Sequence, residues 1–377
     1  MDLSALAPFS YRRLLYIALA MVISVMLISE AGSAASSRAI PGNLAPRQTP
    51  QFVSIGFDDN YYADGMTWIL DFLRDLKNPT GNGKSETFDG SPVRVSFFNN
   101  TNNSEPVVPG TALANTYITA YRDGHEIGDH TRTHNTSADT PFRVWKSEIA
   151  GCRKELATLG IPAERIVGFR SPYLLFNDSV FSVLTKLGFA YDCSLETGLD
   201  KATDGTNFRW PYLLDKGSPD AKKIGAHPGL WEMPAYVLIV PPELRAGIKK
   251  RVANFDQKSG KVRGLDWNLL ASLPEGGYGF TKDEYLKTLK YSLDQRLKGN
   301  RAPLLFGAHT PFYTARAMGD DINPPNITYL EMREVIAEFI LYALSKPEVR
   351  IVPFNKIRQW CSNPAALDGI PSSTYKN

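Results

Sequence analysis

The sequence predicts an α/β fold in which about eight parallel strands form a barrel with helices on its outside. Short apolar segments rich in β-branched and aromatic residues recur along the 377-residue chain. Between several of them lie stretches whose apolar residues repeat at three- and four-residue intervals, the spacing of an amphipathic helix. Eight candidate strands in one continuous alternation fit a single barrel better than two domains.

The predicted strands are bounded by Gly, Pro, Asn or Asp, the residues that commonly end strands. In chain order they are QFVSIGF (51–57), VRVSFF (93–98), HEIGD (125–129), RIVGFR (165–170), FAYDCS (189–194), GLWEMPAY (229–236), PLLFGAH (303–309) and VRIVPF (349–354).

Helices are predicted between these strands, over residues 64–76, 111–124, 141–160, 177–189 and 326–346. The regions of Asp178 and Asn326 offer N-caps. Three glycines offer helix ends: Gly124, Gly160 and Gly188. Residues 197–226 and 241–281 are rich in Gly, Pro, Lys and Asp, and we expect them to form long loops on the barrel.

The amino-terminal segment differs from the rest of the chain. Arg12 and Arg13 precede an uncharged apolar run over residues 14–28, and small residues follow it. This order is typical of a secretory signal, and the run is shorter than the roughly 20 residues that cross a bilayer. We expect residues 1–35 to be a cleaved signal peptide or an uncleaved anchor, residues 36–50 to be an unstructured linker, and the protein to be secreted or periplasmic.

Charge and cysteine content limit the partners. Positive and negative residues are nearly balanced, with a net charge of +3, and the basic residues form no stripe along the sequence. We therefore expect no nucleic-acid partner. Cys152, Cys193 and Cys361 could form one disulfide in an oxidising compartment, with any of the three pairings. The sequence has no CxxC pair, so a bound metal would need histidine and carboxylate ligands.

Polar side chains follow four of the predicted strands. Asp58 and Asp59 follow the first strand, and His130, with His134 four residues later, follows the third. The fourth strand ends at Arg170 and the seventh ends at a histidine, His309. Because chemistry in such barrels lies at the carboxyl ends of the strands, we expect these groups to converge on one rim.

Each feature alone has an ordinary explanation. Histidines four residues apart occur on many surfaces, although on one helical turn both can bind one ion. Adjacent aspartates after a strand are commonly a turn or an N-cap. Arg170 could pair with a surface carboxylate, and His309 could be a satisfied core histidine. Four such coincidences at four strand ends are improbable, which favours a shared catalytic site.

These stretches resemble the motifs of the polysaccharide deacetylase family, the NodB-homology domain of carbohydrate esterase family 4. GFDDN (56–60) is similar to T-F-D-D, HTRTHN (130–135) to H-S/T-x-x-H-S/T, RSPY (170–173) to R-x-P-Y, and LLFGAH (304–309) to the late L-x-H. WPYLLD (210–215), PGLWEMP (228–234) and QWCSNP (359–364) are similar to stretches of the chitin deacetylase-like group. The resemblance implies a distorted (β/α) barrel of seven to eight parallel strands.

Some positions depart from the family pattern. Gly56 stands in place of Thr, and Asn135 stands in place of Ser or Thr, and neither position is a ligand. The fourth family motif, an Asp-Trp pair, has two candidates, LWE (230–232) and LDWN (265–268).

The resemblance implies a metal centre and a set of catalytic groups. Asp59, His130 and His134 would bind a divalent ion, with Zn²⁺ expected and Co²⁺, Mn²⁺ or Ni²⁺ as alternatives. Asp58 would be the general base, oriented by Arg170.

The same resemblance implies how the leaving group departs. His309 would be the general acid, kept protonated by the carboxylate of Asp266 or Glu232. The backbone N–H of Tyr173 would stabilise the oxyanion. Three aromatic residues would either stack on sugar rings or pack in the core: Trp231, Trp267 and Phe312.

The implied protein is a hydrolase of carbon–nitrogen bonds, with a catalytic domain over residues 51–365 and a tail over residues 366–377. It would remove N-acetyl groups from a chitin-like polymer or oligosaccharide that contains N-acetylglucosamine, and we expect it to be a monomer. The alternatives are a peptidoglycan deacetylase, an esterase of O-acetyl groups as in acetylxylan, and a glycan-binding member of the fold without catalysis.

Overall fold

The structure is a computed structural model that describes residues 38–103, 106–272, 274, 276–315 and 324–368. The predicted signal peptide or anchor over residues 1–35 lies outside these residues. Among the helices that are described, none has the length and hydropathy of a membrane span.

One curled, largely parallel sheet forms the centre of the molecule. Its strands are β1 (Gln51–Asp58), β2 (Ser96–Asn99), β3 (Glu126–Asp129), β4 (Gly168–Phe169), β5 (Tyr191–Asp192), β7 (Tyr212–Leu213), β8 (Trp231–Glu232), β12 (Leu304–His309) and β13 (Val349–Ile351). Neighbouring strands follow the order β12, β1, β2, β3, β4, β5, β8 and β7, and β13 pairs with the first residues of β1. All of these pairings are parallel except the one between β7 and β8.

Two small ribbons accompany this sheet. The strands β6 (Glu196–Thr197) and β9 (Ala235–Tyr236) pair in parallel, and β10 (Leu238–Ile239) pairs with β11 (Lys261–Val262) in the antiparallel sense. The segment 229–236, predicted as one strand, therefore contributes β8 to the main sheet and β9 to a ribbon. Each of the other predicted strands contains a strand of the main sheet, and the prediction of an α/β barrel of seven to eight parallel strands is confirmed.

Helices connect and cover the strands. Those among the described residues are α1 (Ala63–Leu73), α2 (Ala112–Arg122), α3 (Phe142–Thr158), α4 (Asp178–Leu187), α5 (Pro242–Arg251), α6 (Asp266–Leu270), α7 (Lys282–Lys298), α8 (Tyr329–Leu344) and α9 (Phe354–Ser362). The five predicted helices correspond to α1 to α4 and α8. The N-caps lie in the two predicted regions: Asn177 caps α4, and Thr328 caps α8 together with Glu331.

The core forms where these helices pack on the sheet. All eight residues of β1 are buried, as expected for a parallel strand covered on both faces. Phe57 of β1 stacks on Phe97 of β2 with ring centroids 5.5 Å apart. The main apolar cluster joins these rings to side chains of α1, α2, α7 and α8, including Met66, Tyr117, Leu289 and Val335.

The residues between 241 and 281 are not the long loop that composition predicts. They contain α5, β11 and α6, and α7 follows directly. α7 contains many charged residues, but it also has an apolar face. On this face Tyr285, Leu289 and Leu293 are buried at intervals of four residues. A capping box between Thr281 and Glu284 begins this helix.

The described part of the predicted linker is packed, not unstructured. Residues 41–43 and 46–48 form 3₁₀ turns, and Ile40 is buried in an apolar cluster with Trp360. The N–H of Leu367 donates to the carbonyl of Gln48 at 2.7 Å, so the start of the predicted tail also packs on the domain. Apolar residues among the prolines of this segment account for the difference.

The three cysteines form no disulfide. Cys152, Cys193 and Cys361 are all free and buried, so the expected pair is absent. Burial raises the pKa of each of the three thiols, which keeps them protonated and unreactive.

Candidate metal centre and active site

Asp59, His130 and His134 lie together at the carboxyl ends of β1 and β3. One ligand atom from each of them lies within 4.8 Å of the others. The Oδ1 atom of Asp59 is 3.5 Å from Nε2 of His134 and 3.8 Å from Nε2 of His130. Asp59 and His134 have left-handed backbone angles, with φ of 51° and 60°, a strained conformation that is common at functional sites. The two turns therefore aim the three side chains at one point.

The chemical state of these side chains suits a cation. Nδ1 of His130 is 2.7 Å from the carbonyl of Arg170, which fixes the proton on Nδ1 and leaves the Nε2 lone pair for a ligand. Burial lowers the pKa of His130, and it lowers that of His134 to about 4, so both rings are neutral at neutral pH. Oδ1 of Asp59 is buried without a hydrogen-bond partner among the described residues. Burial raises the pKa of Asp59, and a cation would supply the missing partner.

Asp58 points at a different neighbour from Asp59. Its Oδ1 accepts a hydrogen bond from Nη1 of Arg170 at 2.8 Å, and both side chains are almost fully buried. Burial lowers the pKa of the Arg170 guanidinium, but the Asp58 carboxylate outweighs this and raises it overall. The guanidinium also lies over the ring of Phe98, 4.5 Å from its centroid. Asp58 is thus held in one orientation by a cation that stays charged.

Gly56 makes room for this ion pair. A Cβ at position 56 would lie 2.8 Å from Phe98 and 2.9 Å from the guanidinium of Arg170. The same guanidinium donates to the Gly56 carbonyl at 3.3 Å. The departure from the family's threonine therefore has a steric reason in this chain.

His309 ends β12 directly beside Asp58, its Cα partner in the register with β1. Its Nδ1 donates to Oδ1 of Asp266 at 2.5 Å, and its backbone N–H donates to Oδ2 of Asp266 at 2.9 Å. Burial lowers the pKa of His309, but Asp266, Asp58 and Asp59 outweigh this and raise it to about 9. Of the two predicted carboxylates, Asp266 is the one at His309, which places the LDWN stretch beside the site.

Glu232, the other carboxylate considered for this position, is buried elsewhere. It shares a hydrogen bond with Asp192, and burial and that neighbour raise its pKa far above the usual range. The pair supports the loop that carries Tyr173, because Asp192 accepts from the Ser194 hydroxyl, which in turn accepts from the backbone N–H of Ser171. No sequence motif indicates this support, since its members come from three separate strand ends.

Tyr173 lies at the open side of the triad. Its φ of 56° breaks the short helical turn Pro172–Leu174, and its side chain is 71% exposed. The ring packs edge-on against that of His134, with centroids 4.5 Å apart. Among the described residues, nothing accepts a hydrogen bond from the Tyr173 backbone N–H, which is therefore free to bind a substrate atom.

The aromatic residues suggested for sugar stacking have different places. Phe312 is buried in the core and only its edge faces His309, so core packing is its role. Trp231 and Trp267 are half-buried against apolar clusters. Sequence reasoning missed Asn60, whose amide donates to the carbonyls of Phe57 and Phe98 and so joins the ends of β1 and β2. Its position directly after the aspartate pair was the available signal.

Comparison with known proteins extends this description. Residues 85–191, which include both histidines of the triad and Arg170, match the family model for polysaccharide deacetylase. Chitin deacetylase 8 of Bombyx mori is 25% identical over 350 residues, which cover 88% of this chain and 76% of that protein. Chitin deacetylase 1 of Bombyx mori is 25% identical over 337 residues, 87% of this chain, but the chain spans only 54% of that relative.

A solved structure from Mycobacterium smegmatis, described as that of a polysaccharide deacetylase, has the same fold. It superposes with a TM-score of 0.52 at 16% identity, and the match covers 88% of this chain and 98% of that one. The motif resemblance is therefore confirmed: residues 85–191 match the polysaccharide deacetylase model, and the chain is similar to chitin deacetylases over most of its length.

Proposed function

We propose that the protein is a metal-dependent deacetylase that hydrolyses N-acetyl groups of a polymer containing N-acetylglucosamine and releases acetate. The meeting of three groups at one rim carries this proposal: the Asp59–His130–His134 triad, the Asp58–Arg170 pair and the Asp266–His309 pair. The relatives named chitin deacetylases support an acetylated amino-sugar polymer as the substrate class.

Asp59, His130 and His134 would hold the ion, because three ligands from one face leave positions open for water and substrate. A divalent ion there would polarise the acetyl carbonyl and make a water molecule more acidic. We propose zinc, since two imidazoles and one carboxylate suit it, with cobalt, manganese and nickel as alternatives. Metal analysis of the protein purified without added metal identifies the ion.

Asp58 would accept the proton of the attacking water. It is buried beside the triad, and its bond to Arg170 at 2.8 Å leaves the other carboxylate oxygen for this task. General base catalysis of this kind contributes about 10²–10⁴-fold to the rate. Arg170 orients Asp58 and does not itself touch the substrate.

His309 would donate a proton to the departing sugar nitrogen. An amine is a poor leaving group unless it is protonated, so the acid must carry its proton at the working pH. The Asp266 carboxylate keeps Nδ1 of His309 protonated and leaves Nε2–H as the donor. Meanwhile the backbone N–H of Tyr173 would stabilise the oxygen that becomes negative when water adds to the carbonyl.

Acetate release tests the proposal directly. N-acetylated chitooligosaccharides, peptidoglycan and acetylxylan are each incubated with the protein in the presence of zinc, and acetate is measured. We expect the highest kcat/KM on the chitooligosaccharides. Release from none of the three, while metal analysis finds the ion bound, would contradict the proposal and favour a glycan-binding protein.

A comparison of leaving groups tests the role of His309. An acetate ester of an activated phenol needs little protonation, whereas an N-acetyl sugar needs it fully. His309→Ala should therefore reduce deacetylation of chitooligosaccharide much more than cleavage of the activated ester. Equal losses on both substrates would mean that His309 positions the acetyl group or supports the metal.

We also propose that the protein acts outside the cytoplasm as a monomer. The predicted signal sequence and the expected polymeric substrate support export. Fractionation of the producing cells, with mass spectrometry of the mature amino terminus, distinguishes a cleaved signal peptide from a retained anchor. Light scattering of the purified protein measures its oligomeric state.

A further inference from the structure

A second pocket lies at the opposite end of the sheet from the triad. It has a volume of about 470 Å³ and is formed by the end of α2, the start of β3, the residues before β4 and the start of α9. β3 separates it from His130, since Glu126 begins the strand and Asp129 ends it. A strand of four residues is about 13 Å long, so the two sites are distinct.

The rim of this pocket is positively charged. Arg122, Arg165 and Lys356 line it, and all three side chains are exposed. None of them forms an ion pair or a side-chain hydrogen bond with another residue of the described chain. Three unpaired cations around one concave surface attract an anion, and guanidinium groups in particular bind phosphate and carboxylate oxygens in pairs.

A buried histidine is among the residues that line the pocket. Only 4% of the surface of His125 is exposed. Its Nδ1 accepts a hydrogen bond from the backbone N–H of Val95 at 3.2 Å, so the proton of the neutral ring is on Nε2. Burial lowers the pKa of His125 to about 3, which keeps the ring neutral. No described residue accepts from this Nε2–H, so a ligand in the pocket that His125 lines can accept from it.

The pocket lining includes one carboxylate, that of Glu126, which already accepts hydrogen bonds from neighbouring residues. Glu126 accepts hydrogen bonds from the hydroxyls of Ser96 and Tyr191 at 2.8 and 2.9 Å, and from the backbone N–H of Asn355 at 3.0 Å. These bonds tie it to the sheet and to α9, so its charge is directed inward. The rim therefore keeps an excess of positive charge.

The walls suggest the body of the ligand. Tyr121, Ile161 and Pro353 offer apolar surface, and the side chains of Asn355 and Gln359 offer amide groups. A volume of this size accommodates a molecule with one or two sugar rings. We propose that this pocket binds an anionic carbohydrate, in which a phosphate or carboxylate meets Arg122, Arg165 and Nε2–H of His125.

Calorimetric titration of the zinc-loaded protein tests this proposal, with glucose 6-phosphate, glucuronate and glucose as probes. We expect the two anionic probes to bind with a Kd of about 1 mM or below and glucose to bind at least about tenfold more weakly. Binding should weaken as salt is added, because the rim cations are exposed. A phosphodiester-linked sugar oligomer is titrated in parallel, and tighter binding than by the monomer identifies a polymer as the source of the anion.

The double variant Arg122→Gln/Arg165→Gln removes the two guanidinium groups from the rim. We expect it to weaken binding of both anionic probes by about tenfold or more for each cation lost. The matched control is Lys222→Gln/Lys223→Gln, which removes the same charge from exposed positions outside the pocket and should bind as the unaltered protein does. Deacetylase activity should be unchanged in both variants.

Histidine labelling with ¹⁵N gives a second measurement that needs no substitution. Addition of glucose 6-phosphate should shift the Nε2 resonance of His125 and leave that of His227, which is bonded to Asp178, unaffected. No binding of either anionic probe at about 10 mM would overturn the proposal. Equal binding by the pocket variant and the control would also overturn it, because binding of the anions would then not depend on Arg122 and Arg165.

Discussion

Two adjacent aspartates at the end of β1 face different neighbours because the chain turns between them. Asp58 is the last residue of the strand and faces Arg170, whereas Asp59 has a φ of 51° and faces His130 and His134. The left-handed backbone of Asp59 thus directs its side chain to partners that differ from those of Asp58. A carboxylate bonded to a guanidinium and a carboxylate aimed at two imidazoles can act as base and ligand at the same centre.

The division of roles predicts different effects for matched substitutions. Asp58→Asn should keep the ion, because Asp58 is outside the triad, and should lower kcat by about 10²–10⁴-fold through loss of the base. Asp59→Asn should lower the metal content as well as activity. Metal analysis and acetate release on the same preparations check both. Retention of the ion only in Asp59→Asn would show that the two roles are exchanged.

The hydrogen bond between Asp266 and His309 predicts a pH effect. The acid must be protonated, so activity should fall as pH rises through the pKa of His309, which the surrounding carboxylates raise to about 9. Asp266→Asn removes one of these charges, and burial then favours the neutral ring. We expect the alkaline limb of kcat/KM on chitooligosaccharide to move to lower pH by about one to three units.

The pH profile distinguishes this effect from a structural one. A variant that only loosened the site would lose activity equally at all pH values. Asp266→Asn should instead recover much of its activity as the pH is lowered, until the general base becomes protonated. An alkaline limb at the same pH as in the unaltered protein would mean that another group sets it.

The residues of the candidate active site could be predicted because the strands that they follow could be predicted. Once Asp59, His130 and His309 follow predicted parallel strands, the fold brings them to one edge. Asp266 is 43 residues from His309 and follows no long strand, so the sequence left Asp266 and Glu232 as alternatives and the structure identifies Asp266 as the partner. The left-handed backbone at Tyr173 was equally hidden, since this conformation is rare outside glycine, asparagine and aspartate.

Strands and helices were predicted with unequal success. β1 and β12 are long and mostly apolar, and their limits follow closely from the sequence. β4 and β5 have only two residues each. The chain leaves the sheet directly before Arg170 in one case and directly after Asp192, the partner of Glu232, in the other. α7 was missed because its buried face includes polar and charged residues, such as Glu284, Thr288 and Ser292, which interrupt the apolar pattern.

The close approach of three elements at Gly56 gives a steric prediction. Gly56→Ala would place a methyl group 2.8 Å from Phe98 and 2.9 Å from Arg170. We expect unfolding to require about 1–3 kcal/mol less free energy, as for other overpacked cores. Turnover should fall as well, because Arg170 must move away from Asp58. Chemical denaturation and acetate release measure the two effects.

Gly247→Ala is the matched control for this substitution. Position 247 is an exposed site in α5 with nothing within 4 Å of the added Cβ, so stability should be unchanged or slightly higher. An equally stable Gly56→Ala protein with full activity would show that Phe98 and Arg170 adjust freely, and that the glycine has no steric role.

Residues near both ends of the described chain pack against the rest of the domain. The segment around Ile40 packs on α9, and Leu367 bonds to Gln48, so residues near both termini of the described chain cover one side of the barrel. Composition alone made these segments a linker and a tail, because prolines and polar residues outnumber the few apolar anchors. Packing of such short segments depends on surfaces that exist only after the barrel forms.

The candidate metal centre also links two parts of the fold, which predicts a dependence of global stability on a bound ion. Asp59 follows β1 and His134 lies beyond β3, so an ion held by both binds the folded chain and not the unfolded one. Free ion at about 1,000 times its Kd should stabilise the protein by about 4 kcal/mol. Chelation should therefore lower Tm by several degrees, and added zinc should restore it.

His134→Ala should abolish this response, whereas Asp58→Asn should retain it in full. His134 is the better ligand to replace, because His130 also bonds to the Arg170 carbonyl and its loss would disturb the segment that carries Arg170 and Tyr173. The same zinc-dependent rise of Tm in His134→Ala and the unaltered protein would show that the ion binds elsewhere.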